Sequence, residues 1–179
     1  MPRFIIAAAA ITCLALGACM QKEAPKSASD GGGAAPVQDA SGGDMTERNQ
    51  TIAPTLIGHR PTFERILGNS GLALQWISWE PKDRGKIEAT MVDGTLWLKG
   101  SQQITGQQGL VELEGRVVSV SDGSFTLNGL IAITDTPDTG RNCRKEGMSK
   151  FAVTQGRKYF RMREFEWCDG LTDYIDIYF

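Results

Sequence analysis

The stretch LVELEGRVVSVSDGSFTLNGLIAIT, residues 110–134, decides how the fold is read. Its two halves, Leu110–Val120 and Ser124–Thr134, flank Asp122-Gly123, a dipeptide that tolerates the positive φ angles of a tight hairpin turn. In the second half Phe125, Leu127, Ile131 and Ile133 recur at period two, opposite Thr126, Asn128 and Thr134. That spacing gives a strand with one apolar face. Gly115 and Gly129 interrupt the two runs, where a bulge or a sharp bend can sit.

Working outward, Lys86–Val92 and Thr95–Lys99 flank Asp93-Gly94, a second turn of the same kind. Leu72–Trp79 precedes them, and Lys150–Thr154, Lys158–Phe165 and Thr172–Tyr178 follow, with a longer connection around Asp135–Gly147. One short helix opens the set: Arg60-Pro61-Thr62 leads into Phe63–Leu67, with proline in the first turn and Gly68 at the stop. The expectation is an all-β domain, an antiparallel meander of about eight strands that closes into a barrel or sandwich behind one N-terminal helix. A split sandwich or an OB-like barrel is the alternative. The order of one helix and eight strands resembles the lipocalin-type barrel. The Gly-x-Trp of that family is absent, because Leu74 stands two residues before Trp76, and the last strand has no arginine.

The chain begins Met1-Pro2-Arg3, then runs apolar from Phe4 to Leu16 and reaches Leu16-Gly17-Ala18-Cys19. At roughly 1.5 Å per residue this run is too short to cross about 30 Å of hydrocarbon, so it reads as an export signal. Its ending resembles the lipobox of bacterial lipoproteins. The resemblance implies removal of residues 1–18, diacylglyceryl transfer to the Cys19 thiol and acylation of the new amino terminus. Several acyl chains on one residue make a lasting anchor, because each buried methylene contributes about 0.8 kcal/mol. Met20, where some bacteria place an inner-membrane aspartate, points to the outer membrane, with the protein facing the periplasm.

Residues 19–49 then form a tether, rich in Gly, Ser, Ala and Pro, that cannot bury enough apolar surface to offset its ordering entropy. Its r.m.s. reach is about 30 Å. The single β-rich domain is residues 50–179. It carries fifteen Lys and Arg against sixteen Asp and Glu, so it lacks the basic excess of a nucleic-acid binder.

Two of the four cysteines, Cys13 and Cys19, fall in the signal and the lipid site. The remaining pair, Cys143 and Cys168, would be a disulfide in an oxidising periplasm. A zinc site lacks partners, since His59 is the single histidine, and the Cys-x-x-Cys spacing of a redox pair is missing.

Charge separates sharply in the last third. Arg141–Arg163 holds eight basic residues and one acid, and Glu164–Asp176 holds five acids and no base. If Lys158–Phe165 pairs with the final strand, Phe160 and Met162 share the core face with Ile175 and Ile177. Tyr159, Arg161 and Arg163 then share the outer face with Tyr174, Asp176 and Tyr178. That face is either a cross-strand charge ladder or a recognition patch of planar anchors. The candidate binding residues are therefore Arg161, Arg163, Tyr174, Asp176 and Tyr178. Asp173 falls on the apolar face and needs a partner, such as an arginine. The ending Cys143-Arg144 … Arg157-x-Tyr159 … Cys168-Asp169 … Asp173-Tyr-x-Asp-Ile-Tyr-Phe179 resembles exported bacterial proteins of unassigned function.

No nucleophile elbow, zinc-binding His-Glu-x-x-His or phosphate-binding glycine loop is present, so no cofactor, metal or catalytic residue is assigned. His59 reads as a surface or capping residue. The functional expectation is a membrane-anchored envelope lipoprotein whose β domain binds a periplasmic protein or a small ligand without catalysis. The alternative is a small hydrolase of envelope polymer using paired carboxylates, Asp173 with Asp176 or Glu164 with Glu166.

Overall fold

Three glycines face one another across neighbouring strands of this domain. The computed structural model describes residues 52–179; the signal, Cys19 and the tether lie outside the described residues. Nine strands and one α-helix follow in chain order: β1 Leu56–Ile57, α1 Arg60–Leu67, β2 Gly71–Leu74, β3 Lys86–Val92, β4 Thr95–Gln103, β5 Leu110–Ser121, β6 Ser124–Thr134, β7 Asn142–Ala152, β8 Tyr159–Met162 and β9 Ile175–Tyr178. Strands β3 to β9 pair antiparallel with their chain neighbours, and β2 pairs with β9, giving a nearly closed eight-stranded barrel. β1 adds to β5 in parallel.

Gly115, Gly129 and Gly147 stand opposite one another on β5, β6 and β7. A Cβ on Gly115 would lie 2.6 Å from the Asn128 carbonyl oxygen and 2.7 Å from Gly129 Cα. One on Gly129 would run into the Glu114 carbonyl and Gly115 Cα. Buried Leu113 and Val117 flank Gly115 on β5, and buried Leu127 and Ile131 flank Gly129 on β6. The sheet therefore bends where its inner surface has no side chains. The bulge itself lies elsewhere, where the β5–β6 register shifts between Val117 and Ser119.

Closure at the β2–β3 seam uses few backbone bonds. Leu72 and Gly85 exchange two hydrogen bonds, of 3.0 and 2.9 Å. The buried Gln102 side chain spans the rest: its Oε1 accepts from Leu74 N at 2.7 Å, and its Nε2 donates to the carbonyls of Ser78 and Asp83. A side-chain amide replaces ladder bonds that would otherwise be left unmade.

Inside, Phe125 stacks on Phe151 at 5.1 Å and meets Phe160 edge-on at 5.3 Å, surrounded by buried Leu72, Leu74, Leu96, Leu98, Ile175 and Ile177. The helix packs Phe63 and Ile66 inward, and its His59 cap accepts from Thr62 N. His59 thus has the capping role expected of it.

Several boundaries differ from the sequence reading, and β4 runs to Gln103, past the expected Lys99. β2 ends at Leu74, because Ile77 N and Ser78 N both turn back to the Leu74 carbonyl. Residues Asn142–Gly147 of the expected connection around Asp135–Gly147 are instead the start of β7, paired residue for residue with β6. Lys145 and Gly147 (φ 107°) stand on the inward face of β7, where apolar residues would give the period-two signal. Strands β8 and β9 are shorter than expected, four residues each, because Arg163–Tyr174 leaves the sheet as a loop.

Candidate functional site

The loop between β8 and β9 is anchored first by Cys143–Cys168, which are disulfide-bonded with Cα atoms 5.8 Å apart. Arg141 anchors it a second time. All five N–H donors of this guanidinium are engaged: Nε and Nη2 on Asp169 at 2.7 and 2.8 Å, Nη1 and Nη2 on Asp173 at 3.0 and 2.9 Å, and Nη1 also on the Thr136 carbonyl at 3.1 Å. Asp173 is fully buried and also accepts from Trp76 Nε1 at 3.0 Å. The carboxylate that alternation placed on the apolar face is thus paired with an arginine.

The hydrogen-bonded Arg141 guanidinium holds the Asp169 carboxyl down to about 2, from an ordinary 3.8. A carboxyl depressed in the folded state stabilises the fold above its unfolded value, and this contribution is lost as pH falls toward the folded value. Acid unfolding should therefore steepen between about pH 4 and pH 2. The slope should be shallower in Asp169→Asn, measured by denaturant titration at stepped pH. Equal slopes in the two proteins would remove Asp169 from the acid response.

β8 and β9 pair with the expected faces shared, and their register sets Arg161 opposite Asp176 and Tyr159 opposite Tyr178. Arg161 Nε and Nη2 each donate to a different oxygen of Asp176, both at 2.7 Å. Burial pushes the Asp176 carboxyl above its ordinary range, and the Arg161 guanidinium acts in the opposite direction. Arg161 lies over the Tyr174 ring at 4.1 Å and the Tyr159 ring at 5.0 Å. Although it points away from the core, Asp176 is fully buried, because these tyrosines and Arg161 cover it. It supports the floor of the site without reaching its surface.

Above this floor is an open cavity of about 790 Å³, lined by Trp79, Thr154, Gln155, Arg157, Tyr159, Arg161, Arg163, Phe165, Tyr174 and Tyr178. All three tyrosines of the chain are here. No carboxylate lines it. Arg157 and Arg163 have no acidic partner within 4 Å among the described residues; they lie against Tyr159 and Phe165 instead. Arg84 lies 3.6 Å over the Tyr178 ring, and its Nε is buried with no hydrogen-bond partner. Burial and then the nearby Asp176 raise the Tyr178 hydroxyl above its ordinary range.

Of the predicted binding residues, Arg161, Arg163, Tyr174 and Tyr178 line one cavity and Asp176 lies beneath it. Sequence reasoning missed Trp79 and Arg157 as members of this site. Arg157 was visible in the basic run, whereas Trp79 arrives on the turn that ends β2.

The fold and site define a nearly closed antiparallel barrel with an apolar interior and an arginine- and tyrosine-lined cavity on its outer wall. The chain belongs to the PM1083 family, whose model matches residues 48–179. It is 34% identical over 118 residues to the uncharacterized protein PM1083 of Pasteurella multocida (strain Pm70), covering 64% of this chain and 74% of that one. No solved structure matches.

Proposed function

We propose that this protein is a non-enzymatic binding module of the bacterial envelope, lipid-anchored at Cys19, tethered through residues 19–49, and facing the periplasm from the outer membrane. Its domain takes a periplasmic protein or small ligand on the outer wall formed by β8 and β9. The observation that carries this reading is the cavity's lining: three arginines, five aromatic rings and no carboxylate, in a chain whose charges otherwise nearly cancel. Arginine and tyrosine offer large, planar, hydrogen-bonding contact area at low entropic cost, which is why they dominate binding hot spots. The Asp173–Asp176 form of the hydrolase alternative fits less well, because each of these carboxylates is held in two-pronged contact with an arginine. Neither is free to exchange a proton with a substrate.

Arg161 is a poor probe of this site, because removing it orphans buried Asp176. The test uses Arg157→Ala/Arg163→Ala, which breaks no ion pair. Cross-linking in intact cells should give a discrete adduct of the wild-type chain that the double variant loses while remaining folded and membrane-associated. Identical adduct patterns in the two proteins would overturn the reading.

A further inference from the structure

We infer that the cavity on β8 and β9 is a site for an acidic saccharide, a pyranose ring carrying a carboxylate or phosphate; this rests on the binding role proposed above and names its ligand class. Three features of the site support it.

The first is charge. Arg157, Arg161 and Arg163 line the cavity, while Asp176 is buried beneath it and already satisfied by Arg161. Two guanidiniums are left without an anion, which a ligand carboxylate or phosphate can supply through paired N–H donors.

The second is the arrangement of the rings. Tyr159 and Tyr178 are tilted by 55°, and Phe165 and Tyr174 by 87°. Neither pair is parallel, so neither can clamp a flat aromatic base. The wall is stepped and suits the puckered C–H face of a sugar, with Thr154, Gln155 and the Tyr174 and Tyr178 hydroxyls available to ring hydroxyls, while the Tyr159 hydroxyl accepts from Arg161 Nη2 at 3.2 Å. Trp79, 50% exposed, supplies a free apolar face on the same cavity.

The third is the backbone. β9 is paired with β8 and β2, and β8 with β9 from Tyr159 to Arg161 and with β7 at Arg161 and Met162, so only Tyr159 and Phe160 lack a partner on the β7 side, too short an edge for an added strand. An extended peptide could not add a strand here and would lose the main-chain bonds that usually hold it. A volume of about 790 Å³ is within the range of small-ligand sites.

The test is calorimetric titration of the detergent-solubilised full chain at about 0.15 M salt, so that long-range charge effects are screened. The probes are trigalacturonic acid, maltotriose, glucose 6-phosphate, inorganic phosphate and a short poly-glutamate peptide. Trigalacturonic acid or glucose 6-phosphate should bind at least about tenfold more tightly than maltotriose. Which of the two binds identifies the anion as carboxylate or phosphate. Arg157→Ala/Arg163→Ala should abolish that preference, and Trp79→Ala should weaken saccharide binding with or without the charge.

Equal affinity for maltotriose, or inorganic phosphate binding as well as the charged sugars, would overturn the assignment. Preference for the peptide would also overturn it, but would leave the binding role standing. If every probe fails while the arginine-dependent adduct persists in cells, the ligand class is wrong and the binding role survives. If the adduct is absent too, both fail.

Discussion

Arg141→Leu is expected to lower stability by about 3–5 kcal/mol, because it leaves buried Asp173 with no cationic partner. The loss is not the net value of the ion pair. It is mostly the penalty of an orphaned carboxylate, so Arg141→Leu/Asp173→Leu should recover part of it. Arg141→Lys should not rescue, since an ammonium's three donors cannot reproduce the five planar bonds made to Asp169, Asp173 and Thr136. Denaturant midpoints of the three variants, with the Cys143–Cys168 bond intact, measure this. A midpoint unchanged in Arg141→Leu would mean that the disulfide alone holds the β8–β9 loop.

Gly129→Ala is expected to cost about 3 kcal/mol, a large penalty for a single methyl group. The added carbon meets backbone of β5, the Glu114 carbonyl and Gly115 Cα, and backbone cannot rotate aside as a long side chain can. Relief requires β5 and β6 to separate or the bend to relax, and either strains the barrel wall. Gly140→Ala is the control: a Cβ there meets nothing within 4 Å, although its φ of 88° adds a conformational cost of its own. Urea unfolding should rank Gly129→Ala as the clearly worse substitution. Equal losses would show that the close approach of β5 and β6 is easily relaxed.

These two cases also show what could be read from the sequence. The hairpins around Asp93-Gly94 and Asp122-Gly123 were legible, because both strand periodicity and turn chemistry are local. That Arg161 and Asp176 share the outer face was legible too, since period-two alternation of apolar residues sorts each strand's two faces; their direct pairing was not. Asp173 could be seen to need a partner, but Arg141 could not be singled out among eight basic residues. Their meeting depends on how the β8–β9 loop folds back. Gln102 was invisible for a similar reason: its partners at Leu74, Ser78 and Asp83 become its neighbours only when the two ends of the meander meet. β7 was cut short because Lys145 and Gly147 interrupt its inward positions, and β6 imposes the pairing that its own pattern does not announce.

The two-sidedness of β8 and β9 also bears on how relatives of this chain can diverge. Phe160, Ile175 and Ile177 point into the filled interior, while every second residue points outward. Selection can therefore rewrite Trp79, Arg157 or Arg163 and change what is recognised without touching the packing. Arg161 and Asp176 lack this freedom: a change to either strands the other in a dry environment, so the two should vary together across the family. Recognition is thus able to drift quickly around a single fixed pair.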